Sequence, residues 1–158
     1  MALHIEKVTA KNRADILALS VAASQEGFIE TTAQCLQEAE EDARFIPVGL
    51  YVDEVVVGFA MYGQFGDEQA EAYVWLDRLL IDAQYQGKGY GQAFLQMLVE
   101  YLQERYATDV IYLSVYPNNT HAIRLYERFG FMFNGEVDPN GELLMVKDVR
   151  ENDNGDCT

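Results

Sequence analysis

The chain has 158 residues, 49% of them hydrophobic, with 11 Lys and Arg against 26 Asp and Glu for a formal charge of −15. This length suits one globular domain, and this apolar content supports a core without disulfides or a metal. The charge argues against nucleic acid and anionic membranes as partners; it either draws in cations or simply keeps the surface soluble.

Ile5 to Val8 reads as a first strand. Ile16, Leu17, Leu19 and Val21 predict a helix from Arg13 to about Ala23. After a break at Gly27, Thr31 or Thr32 caps a second helix through Ala43. Phe45 to Val52 and Val55 to Phe65 form a hairpin across Asp53-Glu54. Gly66 to Gln69 is a loop, and Ala72 to Ile81 is a long strand rich in aromatic and branched residues. Gly87 to Tyr106 is the clearest helix, with Phe94, Leu95, Leu98, Val99 and Leu102 on one apolar face. Val110 to Tyr116 is a strand stopped by Pro117. Asn119 or Thr120 caps a further helix, whose Ala122, Ile123, Leu125, Tyr126 and Phe129 face inward and which Gly130 ends. Phe131 to Val137 and Leu143 to Val149 make a final hairpin over Asp138-Pro139-Asn140-Gly141. Residues 1–150 are expected to form one domain of class α+β, a mixed sheet with helices on its faces. Residues 151–158, small or charged, read as a disordered tail.

The two cysteines, Cys35 and Cys157, show neither metal-ligand spacing nor a redox pair, which fits a reducing compartment. His4 and His121 need no catalytic role, and no metal is expected. The first residues lack a basic stretch followed by an apolar one, and no apolar run has bilayer-spanning length. The expected location is the cytoplasm.

Chemistry concentrates in Leu76-Asp77-Arg78-Leu79-Leu80-Ile81-Asp82 and the following Gln86-Gly87-Lys88-Gly89-Tyr90-Gly91. A buried strand enters a glycine-rich turn that opens a long helix. Such a turn presents unpaired N–H groups at the positive end of the helix dipole, and glycine lets a ligand approach the backbone. The product is an anion site suited to phosphate or pyrophosphate, although a tight strand-to-helix connection accounts for the same glycines. The dinucleotide fingerprint is incomplete, and Gly87-Lys88 is followed by Gly89 where a triphosphate loop needs Ser or Thr.

Gln86-x-x-Gly89-x-Gly91, after a strand ending Leu80-Ile81-Asp82, resembles the acetyl-coenzyme A motif of the GNAT superfamily of N-acetyltransferases. The segment from Asn118-Asn119-Thr120 through Leu125-Tyr126-Glu127-Arg128-Phe129-Gly130-Phe131 resembles that superfamily's next strand–helix segment. Pro47 to Tyr51, Val57 to Gly63 and Val74-Trp75-Leu76-Asp77-Arg78 are similar, more narrowly, to bacterial spermine/spermidine acetyltransferases. The resemblance implies a central twisted mixed sheet of about seven strands flanked by about four helices. It also implies acetyl-CoA as cosubstrate, a polyamine as acceptor and a homodimer.

The resemblance further implies individual roles. Backbone N–H groups of Gln86, Gly87, Lys88, Gly89, Tyr90 and Gly91 hold the pyrophosphate, and the strand edge at Leu79, Leu80 and Ile81 pairs with the pantetheine arm. By position alone Tyr126 reads as a core tyrosine on an amphipathic helix; with both motifs present it matches the general acid that protonates the departing thiolate. Asn119 matches a cofactor contact and is equally a helix cap. Asp77, a carboxylate in an apolar strand, either assists deprotonation of the amine or belongs to a buried ion pair. Its neighbour Arg78 points to the opposite face of a regular strand, so a simple pair between them is not expected. Glu30 is the preferred contact for distant ammonium groups, ahead of Glu38, Glu40 and Glu41, which also suit a solvated helix face. Trp75, Tyr51 and Tyr73 either line the substrate cleft or fill the core. Rival readings are transfer to another amine, such as a protein N-terminus, an aminoglycoside or an amino acid, or a sensor that binds without turnover.

Overall fold

The computed structural model describes residues 2–19, 31–66 and 73–148. In chain order the elements are β1 (Leu3–Lys7), α1 (Arg13–Leu17), α2 (Thr32–Glu41), β2 (Phe45–Val52), β3 (Val55–Phe65) and β4 (Tyr73–Ile81). A 3-10 turn over Ala83–Tyr85 follows, then α3 (Tyr90–Tyr106), β5 (Val110–Val115), α4 (Thr120–Arg128), β6 (Met132–Val137) and β7 (Leu143–Asp148).

Local chemistry sets several of these boundaries. Thr31 and Gln34 form a reciprocal capping box that starts α2. Asp53 takes a left-handed φ of 54° in the tight β2–β3 turn, a conformation Asp tolerates better than most residues. Asn119 caps α4 by accepting from the Ala122 N–H at 3.4 Å. Gly130, at φ 91°, ends it.

Seven strands are hydrogen-bonded in the order β1-β2-β3-β4-β5-β7-β6. The β1–β2, β2–β3, β5–β7 and β6–β7 pairs are antiparallel and β4–β5 is parallel, so the sheet is mixed, as expected. The recorded β4–β5 register consists of Val74↔Ile111 and Trp75↔Tyr112.

The chain forms two compact units. In one, residues up to Gly63 join Asp77–Leu95. Its core packs Ile16 of α1 and Cys35 and Leu36 of α2 with Phe59, Met61 and Leu80 from β3 and β4, every one at most 5% exposed. The other unit takes Gln64–Leu76 and the chain from Gln96 onward. Its buried apolar residues include Val74, Leu98, Leu102, Ile111, Leu113, Val115, Phe131 and Met145.

Several boundaries differ from those expected. α3 begins at Tyr90 rather than Gly87, because Gly87 (φ 78°) and Gly89 (φ 84°) are left-handed and cannot belong to a right-handed helix. α1 is described only as Arg13–Leu17. Its C-cap is Ala18, so the helix stops before the expected Leu19; residues 20–23 of the expected span, the break at Gly27 and the tail from 151 lie outside the described residues. In α4 the residues expected to face inward are only half-buried, and none is fully buried. Its strong segregation of apolar and polar residues gives it one covered stripe, not a core position.

Candidate active site

In the first unit, β4 runs from Asp77 through Leu79, Leu80 and Ile81 into the turn. The Asp82 N–H donates to the Val57 carbonyl at 2.8 Å. The Leu80 carbonyl faces β3 closely enough that a Cβ built on Gly58 would lie 2.5 Å from its oxygen. Strand alternation then directs the peptide groups of Leu79 and Ile81 away from β3. Gln86 reaches back from the turn, its Nε2 donating to the Ile81 carbonyl at 2.8 Å. The Asp82 carboxylate accepts from the Gln84 N–H at 3.1 Å and fixes the 3-10 turn.

Gly87 and Gly89 follow, exposed, and a Cβ built on either meets no atom within 4 Å. Their glycine identity therefore answers to backbone conformation and not to protein packing. Left-handed Gly87 and Gly89 stand on either side of Lys88 just before α3, at the positive end of its helix dipole. The Gly89 carbonyl accepts the first helical bond, from Ala93 N–H at 3.2 Å. Lys88 is exposed, while Tyr90 and Gly91 are half-buried in the first turn of α3.

Asp77 and Arg78 do form the pair that strand alternation spoke against: Arg78 Nη1 lies 3.1 Å from Asp77 Oδ2 and donates to the Asp77 carbonyl at 2.8 Å. An arginine side chain is long enough to curl back around its own strand. Arg78 also lies 3.8 Å from Glu38 of α2, with side-chain exposures of 13% for Arg78, 18% for Asp77 and 40% for Glu38. Glu38 thus belongs to an ion-pair chain. Glu40 pairs with Arg13 at 3.1 Å, and Glu41 accepts from Gln37 Nε2 at 3.3 Å. Tyr51 is buried and stacks on His4, with ring centroids 5.1 Å apart, so it is a core residue. Glu30 lies outside the described residues.

In the second unit, Trp75 stacks on Tyr112 at 5.3 Å and Tyr73 meets the same ring edge-on at 5.4 Å. Tyr126 sits on α4 with its ring edge-on to Phe131 at 6.0 Å. Burial of the phenol pushes its pKa from 10.0 up to about 12. It is therefore a neutral hydroxyl, a weak acid and a competent hydrogen-bond donor. Asn119 holds its cap position as expected.

The structure thus gathers Asp77, Leu79, Leu80, Ile81 and the turn from Gln86 to Gly91 in the first unit, and Trp75, Asn119 and Tyr126 in the second. Three features escaped the sequence reading: the Arg78 pairing, the Gln86–Ile81 bond and Lys147, a buried lysine on β7. Lys147 was legible in part, since it shares strand parity with the buried Met145. Among the described residues, no three His, Cys, Asp or Glu side chains gather as a metal site requires, and no helix is long and apolar enough to cross a membrane.

Residues 13–131 match the acetyltransferase (GNAT) family. The chain is 50% identical over 152 residues to a spermine/spermidine N(1)-acetyltransferase of Bacillus subtilis, covering 94% of this chain and 100% of that one. It is 31% identical over 106 residues to an aminoglycoside N(6')-acetyltransferase of Klebsiella pneumoniae, covering 66% of this chain and 52% of that one. Among solved structures it resembles an aminoglycoside acetyltransferase in complex with coenzyme A, at TM-score 0.78 and 22% identity, covering 97% of this chain and 98% of that one. It also resembles a PaiA N-acetyltransferase from Thermoplasma acidophilum in complex with coenzyme A, at TM-score 0.67 and 15% identity, covering 94% and 99%. These two likenesses concern the fold.

Proposed function

The chain belongs to the acetyltransferase (GNAT) family, and from that premise we propose that it acetylates a primary amine of spermidine or spermine by direct transfer from acetyl-CoA. The observation that carries the donor half is the turn from Gln86 to Gly91. Its two left-handed glycines open the start of α3 where a pyrophosphate needs backbone N–H groups. The acceptor half rests on the 50% identity to a spermine/spermidine acetyltransferase and on the charge of −15, which favours a polycation.

Acetyl-CoA supplies the acetyl group as a thioester. The N–H groups from Gln86 to Gly91 bind the pyrophosphate, and the peptide groups of Leu79 and Ile81, directed away from β3, pair with the pantetheine arm. Leu79 is the better oxyanion donor, because the Leu80 peptide faces β3. An ammonium must lose its proton before it attacks, since an alkyl amine of the lysine type has a pKa of about 10.4. Asp77 or a water beside it takes that proton. The amine nitrogen then bonds to the acetyl carbon, the carbon–sulfur bond breaks, the nitrogen gives up its second proton to water, and Tyr126 donates to the departing sulfur. With its pKa raised to about 12, the phenol stabilises the thiolate first as a hydrogen-bond donor. Glu30 and Trp75 contact the distal substrate, and Asn119 approaches the cofactor while capping α4. A cytoplasmic homodimer completes this reading.

Initial velocities with acetyl-CoA and spermidine varied together test the direct route. Intersecting double-reciprocal lines are expected. Parallel lines would mean a covalent acetyl-enzyme and contradict it.

A further inference from the structure

Lys147 is the most deeply buried basic residue among the described ones, at 5% exposure. A buried ammonium is costly unless its partners compensate. Its Nζ donates to the Phe129 carbonyl, the C-terminal cap residue of α4. The negative end of the helix dipole lies there, so the charge is favourably placed. Gly130 leaves room for it: a Cβ at that position would lie 2.7 Å from Nζ. The same three-residue cap holds Tyr126. The N–H groups of Phe129 and Phe131 both donate to the Tyr126 carbonyl at 3.0 Å. The Phe131 ring, 1% exposed, meets the Tyr126 ring edge-on. Lys147 grips Phe129 from β7, and Phe129 and Phe131 grip Tyr126 by backbone and ring.

We propose that Lys147 is a positioning residue for Tyr126: its ammonium ties the C-terminal end of α4 to β7 and so holds the phenol in its donating pose. This rests on the reading of Tyr126 as proton donor. A sub-ångström to ångström misplacement of a catalytic group slows chemistry without weakening substrate binding. The proposed effect of Lys147 passes through Tyr126, by way of the Phe129 carbonyl.

The test is a double-mutant cycle on kcat with Lys147→Met, Tyr126→Phe and the combined variant. Lys147→Met should lower kcat on the order of tenfold while KM for acetyl-CoA stays within about twofold. In the Tyr126→Phe background the same change should have no further effect. If Lys147→Met slows both backgrounds equally, or slows neither, the positioning role is overturned while the acid role stands. If Tyr126→Phe alone keeps full turnover, the acid role fails and the positioning role falls with it. Should Lys147→Met not fold, Lys147→Gln carries the same cycle, because it removes the ammonium from the Phe129 carbonyl and leaves the Gly130 cap untouched.

Discussion

Tyr126 shows how one side chain can combine a structural and a chemical role. Although the residue as a whole is half-buried, desolvation of its phenol pushes the pKa up to about 12 and so extends the neutral form to higher pH. The proton therefore stays on Tyr126 throughout neutral and mildly alkaline pH. A kcat profile should show no alkaline loss attributable to Tyr126 below about pH 11, and a fall near pH 10.0 would mean a solvated phenol. The folded state favours the neutral form more than the unfolded chain does. Tyr126 thus contributes its full share of stability below its ordinary value of 10.0, and that share is lost as pH rises toward about 12. Urea unfolding should lose less stability across that window in Tyr126→Phe than in the parent; equal losses would contradict the burial argument. Asp77 belongs to the same scale. Its carboxylate is shared with Arg78 at 3.1 Å. Asp77→Asn should lower kcat/KM for the amine about 100-fold and leave coenzyme A affinity, measured by titration calorimetry, unchanged. Strand alternation separates the Cα–Cβ directions of Asp77 and Arg78 but says nothing about where a long guanidinium ends, so this pair was not legible in the sequence.

At the scale of elements, glycines do two different jobs. Gly89 answers to conformation alone: Gly89→Ala meets no neighbour but strains a φ of 84°. It should cost about 1–2 kcal/mol in denaturant unfolding and raise KM for acetyl-CoA about tenfold through a distorted turn. An unchanged KM would remove this turn from the cofactor site. Gly58 answers to packing, because a Cβ there would meet the Leu80 carbonyl at 2.5 Å. Gly58→Ala should cost about 2 kcal/mol and lower Tm by roughly 6 °C. Full-stability behaviour would mean that β3 and β4 are less closely apposed than described. These elements also mark what a sequence can give. β2 and β3 appear with the boundaries that alternation and the Asp53-Glu54 turn predict. The start of α3 does not, because the glycines at 87, 89 and 91 mark a turn without telling which of them takes a left-handed φ. The two motifs identified the candidate turn, Gln86 included, and Tyr126, while Lys147 acts through a bond to a carbonyl 18 residues away that no local pattern encodes.

Across the whole molecule, the mixed seven-stranded order and the family match agree on the chemistry of acetyl transfer, and the charge of −15 bears on the choice of amine. Raising salt from about 0.1 M to 1 M shortens the screening length from about 10 Å to 3 Å. KM for spermidine should then rise severalfold with kcat little changed; a flat KM would mean that the acidic surface plays no part in capture. The central claim is that this acetyltransferase acts on a polyamine. It is tested most directly by thiol release from acetyl-CoA with spermidine, spermine, putrescine, lysine, an aminoglycoside and a short peptide as separate acceptors. The account predicts strong turnover with spermidine or spermine and little with the rest. Silence with both polyamines, or faster turnover with the aminoglycoside or the peptide, would contradict it.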